Sequence, residues 1–277
     1  MNKFIATNND AGRTLLKFLE GILDGVPKSR IEKAFREKEI KVNQKRIKDK
    51  KYIIQEGDDI EVYGIRYSVK TFVKVSHKFE IIFEDKNILI VNKPTNIEVH
   101  GPDNSLDMQV LSYLKFEKKD SFIPSHIGRI DKVTSGIMVY GKNYETVRQM
   151  NDNIDKFDKI YRAISSLKET QVLNAMIHHN ELDKKEYVSE EFGKECSTKF
   201  TVMENGEIEA QIITGRKHQI RASLEFLNTP IKGDVKYGGA AASRVYLHSY
   251  MIIFHNLKGE LEYLNNKEFK TGPYFEE

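Results

Sequence analysis

From Gly12 to Asp24 the apolar residues Leu15, Leu16, Phe18, Leu19, Ile22 and Leu23 recur at the spacing that lines one helix face, and Gly25 with Pro27 ends the run. A second helix is predicted from Ser29 to about Lys38, with Ser29 as its N-cap, Glu32 at the capping-box position and Ile31, Ala34 and Phe35 turned inward. Short alternating runs then predict strands at residues 40–43, 52–54 and 59–63, the last following a turn at Glu56, Gly57 and Asp58. Residues 65–78 carry no strong period and read as a linker. Beyond them the pattern starts afresh, with strands predicted at 79–85 and 87–94 and a helix from Ser105 to about Phe116. A polar helix over 143–157 precedes a strand over 158–164. Residues 169–195 are polar and irregular, and no element is predicted there. Strands return at 197–203 and 208–213 and lead into a helix through Ala222 to Leu227, whose first turns would hold Lys217, His218 and Arg221. A turn, a strand near Leu247 and a hairpin-like segment close the chain.

At 277 residues, 39% hydrophobic and 31% charged, the chain can bury a sizeable core. Its single cysteine, Cys196, excludes an intramolecular disulfide framework and a cysteine-based zinc cluster, and reads as a core filler. No apolar run reaches signal-peptide or membrane-span length, so a cytoplasmic protein without membrane association is expected. Charge changes the picture more. The net charge is only +3, yet residues 28–51 hold eleven basic residues against four acidic ones. Such a block is either a solvated lysine-rich face or the footprint of a nucleic-acid contact.

Candidate chemistry centres on the run from Ser125 to Gly136, in which Arg129 and Asp131 stand two apart in a glycine- and serine-punctuated loop feeding the apolar run Ile137–Tyr140. A loop anchored by a strand can hold a carboxylate at the mouth of a cleft, although an isolated R-x-D also fits a solvated surface turn. Lys93, at a strand end before Pro94, is either a solvated lysine or a phosphate contact. Tyr161 lies between apolar neighbours, as a half-buried packing residue does. Arg216, Lys217, His218 and Arg221 cluster with no acid between them, which requires something negative nearby: RNA phosphate or the carboxylate of Asp131. A metal site at His178–His179 is not expected, because adjacent histidines rarely face one ion and no carboxylate sits at ligand spacing.

Two resemblances absorb these features. Arg13, Leu15, Phe18, Leu19, Ser29, Arg30, Val42, Asn43, Gly57, Asp58 and Ile60, across residues 12–63, resemble the small RNA-binding module named after the fourth ribosomal protein of the small subunit. In that module the second helix and adjoining loop face structured RNA, which implies contacts by Lys28, Arg30, Lys33, Arg36, Lys45, Arg46 and Lys48. From residue 79 to 255, the order E-D-x-x-I-L-I-V-N-K-P, G-R-I-D-K-V-T-S-G, K-I-Y, T-G-R-K-H-Q-I-R, P-I-x-G-D, Y-G and L-H resembles the RluA-type pseudouridine synthases.

The resemblance implies an α+β protein: an RNA-binding module over residues 1–64, the linker over 65–78, and a catalytic domain over 79–277 on a mixed, mostly antiparallel sheet with the cleft across its middle. It implies an isomerase that works without cofactor or metal, breaking the N-glycosidic bond of a uridine, turning the bound uracil and rejoining C1' to C5. By motif position Asp131 is the catalytic aspartate, Tyr161 stacks on the base and takes part in removing the C5 proton, and Arg221 pairs with the aspartate. Arg129 would fill the gap left by the flipped base, with Lys93, Arg216, Lys217 and His218 as further RNA contacts. Gly128 stands where the family usually has histidine and Ile130 where it has leucine, a loss for which His126 is the candidate replacement. Large-subunit ribosomal RNA is the implied substrate and a monomer the expected state. The competing readings are a transfer-RNA pseudouridine synthase and a non-catalytic RNA-binding protein of ribosome assembly.

Overall fold

Four short strands and two helices form the N-terminal layer of the computed structural model, which describes residues 1–67, 74–101, 103–272 and 275. Strand β1 (Asn2–Ile5), helices α1 (Leu15–Ile22) and α2 (Lys28–Arg36), and strands β2 (Ile40–Val42), β3 (Lys45–Arg46) and β4 (Asp59–Val62) follow in chain order. The sheet order is β1-β4-β2-β3, antiparallel throughout. Leu15, Phe18 and Leu19 of α1 and Ile31, Ala34 and Phe35 of α2 pack on Ile40, Val42, Ile60 and Val62, so the helical stripes face the sheet as their spacing predicts. Ile65 joins this core and Tyr67 packs against it.

Helix starts are set by local chemistry. Thr14 caps α1 by accepting a hydrogen bond from the Lys17 N–H. The cap of helix α2 lies two residues earlier than predicted: Pro27 holds the cap position, and Ser29 lies inside the first turn rather than capping it. The fixed φ of proline already suits a helix start. The strand predicted at 52–54 is reduced to an isolated bridge between Ile53 and Thr14, while β1 is too short to show a period and has no counterpart among the predicted elements.

The second sheet is built from β5 (Glu80–Glu84), β6 (Ile88–Lys93), β7 (Ser125–Ile127), β8 (Ser135–Gly141), β9 (Asp158–Ile164), β10 (Gln171–Asn180), β11 (Lys185–Ser189), β12 (Lys194–Val202), β13 (Glu207–Ile212), β14 (Leu247–Ile253) and β15 (Glu268–Lys270). Helices α3 (Leu106–Tyr113), α4 (Tyr144–Asn153) and α5 (Gln219–Phe226) are interspersed. The order is β11-β10-β12-β13-β9-β14-β8-β6-β5, with β15 beside β14 and β7 beside β8. Among the described residues only the β14–β8 strand pair is parallel, so the sheet is mixed and mostly antiparallel, as expected. The backbone amides of Val75 and Lys78 donate to Ser112 and Gln109 of α3, so this part of the predicted linker runs along that helix. Residues 68–73 of that linker lie outside the described residues.

The hairpin β10–β11 corrects the irregular reading of residues 169–195. In β10 only Ile177 is buried, and Leu182 at the tip is 97% exposed. A hairpin at the sheet edge with both faces partly wet has no reason to alternate apolar and polar positions. Among the described residues, no helix is long and apolar enough to cross a membrane.

The middle of this sheet opens. Strand β8 pairs with β14 only at Ser135 and Gly136 and with β7 only from Val139 to Gly141. Between these contacts β14 and β7 part, leaving a gap floored by Ile137 and Met138. Gly136 makes the close end possible: its φ is +112°, and a Cβ there would stand 2.3 Å from the Ser249 carbonyl oxygen on β14. No other residue fits that approach.

Candidate active site

The gap between the strands is a cavity of about 310 Å³, lined by residues of β7, β8, β9, β14, the loop after β7 and the start of α5. Asp131 lies half-buried in that loop, where the Thr134 N–H closes a turn on its carbonyl at 3.1 Å. The loop begins at Gly128, whose φ is +63° and whose Cβ position would fall 2.6 Å from Ile154 Cδ1. The left-handed backbone favours glycine here, and a larger residue would have to displace the tip of the Ile154 side chain. His126 does not replace the missing histidine: its Nδ1 is 3.0 Å from Asp107, which also accepts from the Tyr140 hydroxyl. Side chains alternate along β7, so Ile127 faces the cavity while His126 faces away.

Arg221, in the first turn of α5, extends one guanidinium nitrogen to Asp131 Oδ2 at 3.1 Å. Its Nε and remaining nitrogen grip Asp234 at 2.6 and 2.9 Å, a two-pronged pair in which Asp234 is 1% exposed. Its Cζ also stands 4.8 Å over the Tyr237 ring. Burial works against the charge of Arg221, but Asp234 first and then Asp131 outweigh it and raise its pKa. A planar fork serving two carboxylates explains arginine here, because a lysine offers no such geometry.

Tyr161 reaches the cavity from the central strand β9. Burial, together with the negative charge of Asp131, pushes its phenol up to about 12, although a hydrogen bond with Ser249 opposes the rise. The side chain is therefore a neutral phenol at physiological pH. Asp131, Tyr161 and Arg221, ninety residues apart from first to last, meet at one cavity.

The remaining candidates divide. Arg129 is exposed at the cavity lining, as are Arg216 and Lys217, with Arg216 Nε donating to the Glu195 carbonyl at 2.9 Å and Lys217 pairing with Glu186 at 2.9 Å. Lys93 is not a surface contact for RNA. It is fully buried, and its Nζ donates to the carbonyls of Pro94, Ile97 and Lys132 at 2.9, 2.8 and 3.2 Å. Burial lowers its pKa to about 7, against the pull of Asp131. It fastens the β6 exit to the loop carrying Asp131. The basic cluster before α5 is also better neutralised than expected, because Asp234 and Glu186 share it with Asp131.

On the N-terminal module Lys28, Lys33, Arg36, Lys45, Arg46 and Lys48 are exposed. Lys28 pairs with Glu20 and Lys33 with Glu37, both loosely at 3.3 and 3.5 Å. Arg30 differs: it is bound to Glu39 and to the Gly64 carbonyl at 2.8 Å each, so it closes the module rather than facing a partner. Cys196 is buried, and burial pushes its thiol up. Asp234 and Tyr237, within P-I-x-G-D and Y-G, are site residues to which the sequence alone assigns no place. Their signal is a buried-type acid and an aromatic residue following a cationic cluster.

Comparison with known proteins gives one consistent result. The RNA pseudouridylate synthase family matches residues 87–226. An uncharacterised RNA pseudouridine synthase of Mycoplasma capricolum is 38% identical over 99% of this chain and 98% of its own. The ribosomal large subunit pseudouridine synthase C of Pasteurella multocida is 31% identical, over 91% of this chain and 85% of its own. Human RNA pseudouridylate synthase domain containing 1 shares the fold, with a TM-score of 0.55 and 20% identity over 63% of this chain and 78% of its own.

Proposed function

This chain belongs to the RluA-type family of RNA pseudouridine synthases, and from that premise we propose that it isomerises uridine in large-subunit ribosomal RNA, with Asp131 as its catalytic carboxylate. The single observation that carries the assignment of the site is the pairing of Asp131 with Arg221 at 3.1 Å inside the cavity where Tyr161 also stands. The substrate assignment is supported by the relatives named for the ribosomal large subunit and by the basic face of the N-terminal module.

The geometry accounts for the steps. A stacked nucleotide cannot present C1' and C5 together, so the uridine is flipped into the cavity, with Arg129 at its lining to occupy the vacated stack. Asp131 acts at the ribose–base link. Arg221 holds one carboxylate oxygen, which orients the other toward the substrate. Tyr161, neutral at physiological pH, offers the detached uracil an aromatic face beside Ser249 while it turns. The N1–C1' bond breaks and a C5–C1' bond forms, and the proton lost from C5 is matched by one gained at N1, so the product is an isomer of the uridine. The chain acts as a single copy in the cytoplasm, where ribosomes are assembled.

The reading is tested by adding the protein to total RNA from cells that lack it and mapping pseudouridine by carbodiimide-dependent reverse-transcriptase stops. New stops confined to large-subunit ribosomal RNA are expected. Stops in transfer RNA alone would overturn the substrate, and none in any RNA the protein binds would overturn the activity.

A second expectation concerns the module. Replacing Arg36, Lys45, Arg46 and Lys48 with glutamine should weaken binding to large-subunit ribosomal RNA by roughly 10- to 100-fold and flatten its salt dependence by about 0.7 to 0.9 for each phosphate that is no longer neutralised. Filter binding across a salt series measures both. An unchanged slope would remove this face from the RNA interface.

A further inference from the structure

His218 immediately precedes α5 in the left-handed region, with φ 53°, and its ring lines the cavity. Its Nε2 stands 3.7 Å from Asp131 Oδ1, the oxygen that Arg221 leaves open. Its Nδ1 is 2.8 Å from the Tyr237 hydroxyl. That hydroxyl belongs to a fully buried side chain and accepts the backbone N–H of Glu186 at 3.1 Å. Burial raises the pKa of Tyr237, so the phenol keeps its proton. With a backbone N–H already donating to the oxygen, the phenolic proton points to the remaining neighbour, which is His218 Nδ1. Nδ1 must then be the unprotonated nitrogen. Burial, against the pull of Asp131 and with Arg221, Lys217 and Lys236 nearby, lowers the pKa of His218, which keeps the ring neutral. The one proton of a neutral ring whose Nδ1 accepts sits on Nε2, the atom facing Asp131.

We propose that His218 is a positioning residue for Asp131: a neutral imidazole, locked by Tyr237 in the Nε2–H form, that closes onto Oδ1 when substrate fills the cavity and fixes the carboxylate from the side opposite Arg221. At 3.7 Å the contact is just beyond hydrogen-bond length, so a shift of about half an ångström completes it. The chain of contacts starts in the hairpin. Glu186 belongs to β11, and its carboxylate also takes His179 at 2.7 Å and Lys217 at 2.9 Å. The edge hairpin thereby becomes part of the support of the catalytic group. This inference rests on the reading of Asp131 as the catalytic carboxylate.

Two measurements test it. Nitrogen-15 long-range correlation spectra of histidine-labelled protein at neutral pH should show His218 with Nδ1 bare and Nε2 protonated, and the pattern should shift toward mixed tautomers in Tyr237→Phe. A protonated Nδ1 or a doubly protonated ring in the wild type overturns the proposal, whatever the variants do. In the second, His218→Leu should lose roughly 100-fold in kcat with KM for RNA nearly unchanged, as expected when a reacting group is misplaced by about an ångström. His218→Gln, which retains an N–H at the same reach, should recover at least half of that loss on a logarithmic scale. A raised KM with intact kcat would make His218 an RNA-binding residue and overturn the positioning role, as would unchanged kinetics in both variants. If Asp131→Asn proved active, the reading of the site would fall while the tautomer assignment stood.

Discussion

Asp131→Asn is expected to lower pseudouridine formation by about 10³-fold or more, with RNA affinity within about threefold of the wild type. The substitution removes a charge and one acceptor at nearly constant shape. Arg221 keeps its two bonds to Asp234 and can still donate to the asparagine carbonyl, so neither the start of α5 nor the turn closed by Thr134 loses its support. What disappears is the carboxylate that acts at the ribose–base link. Single-turnover assays on large-subunit ribosomal RNA, paired with filter binding, separate these effects. Substantial residual turnover by the variant would remove Asp131 from the chemistry, and a loss of binding in parallel with turnover would make it a binding residue.

Arg221→Ala should be the most damaging single change to stability at the site, at about 3–5 kcal/mol. The cost comes chiefly from Asp234, 1% exposed, whose carboxylate would be left without its two-pronged partner. For a protein of this size the melting temperature should fall by roughly 10 °C. Asp234→Ala should be similarly harmful, because it strands the guanidinium, whereas the double variant should cost clearly less than the sum of the two. A strictly additive double variant, measured by denaturant unfolding, would show that the pair is not coupled. Arg221→Lys should fail to rescue activity even where it folds, since a point charge cannot hold Asp234 with two bonds and reach Asp131 as well.

The helical stripes of α1 and α2, the alternating strands and the motif order from residue 79 onward were legible because each depends on local spacing. Asp131 and Arg221 stand out as candidates in the sequence through a punctuated loop before a strand and a cationic cluster at a helix start, whereas their proposed roles and that of Tyr161 come from family resemblance. The errors have physical causes. Lys93 reads as a surface lysine in a polar protein, yet three inward carbonyls, two from its own turn and one from Lys132, turn its ammonium into the core. Arg30 sits in a basic run yet closes on Glu39. Residues 169–195 look irregular because a hairpin at a sheet edge needs no buried stripe.

What the amino-acid sequence determined by itself was therefore the helices and strands whose residues keep a local period, and the family whose chemistry the loop residues serve. Only the tertiary structure decided which carboxylate Arg221 grips with two bonds, that β14 and β7 part along β8 to open the cavity, and that Tyr237 faces His218. The reason is one of range. Helical and strand periodicity act over a few residues, whereas a buried charge is satisfied by whatever partner the packed sheet brings within about 3 Å, at any distance along the chain.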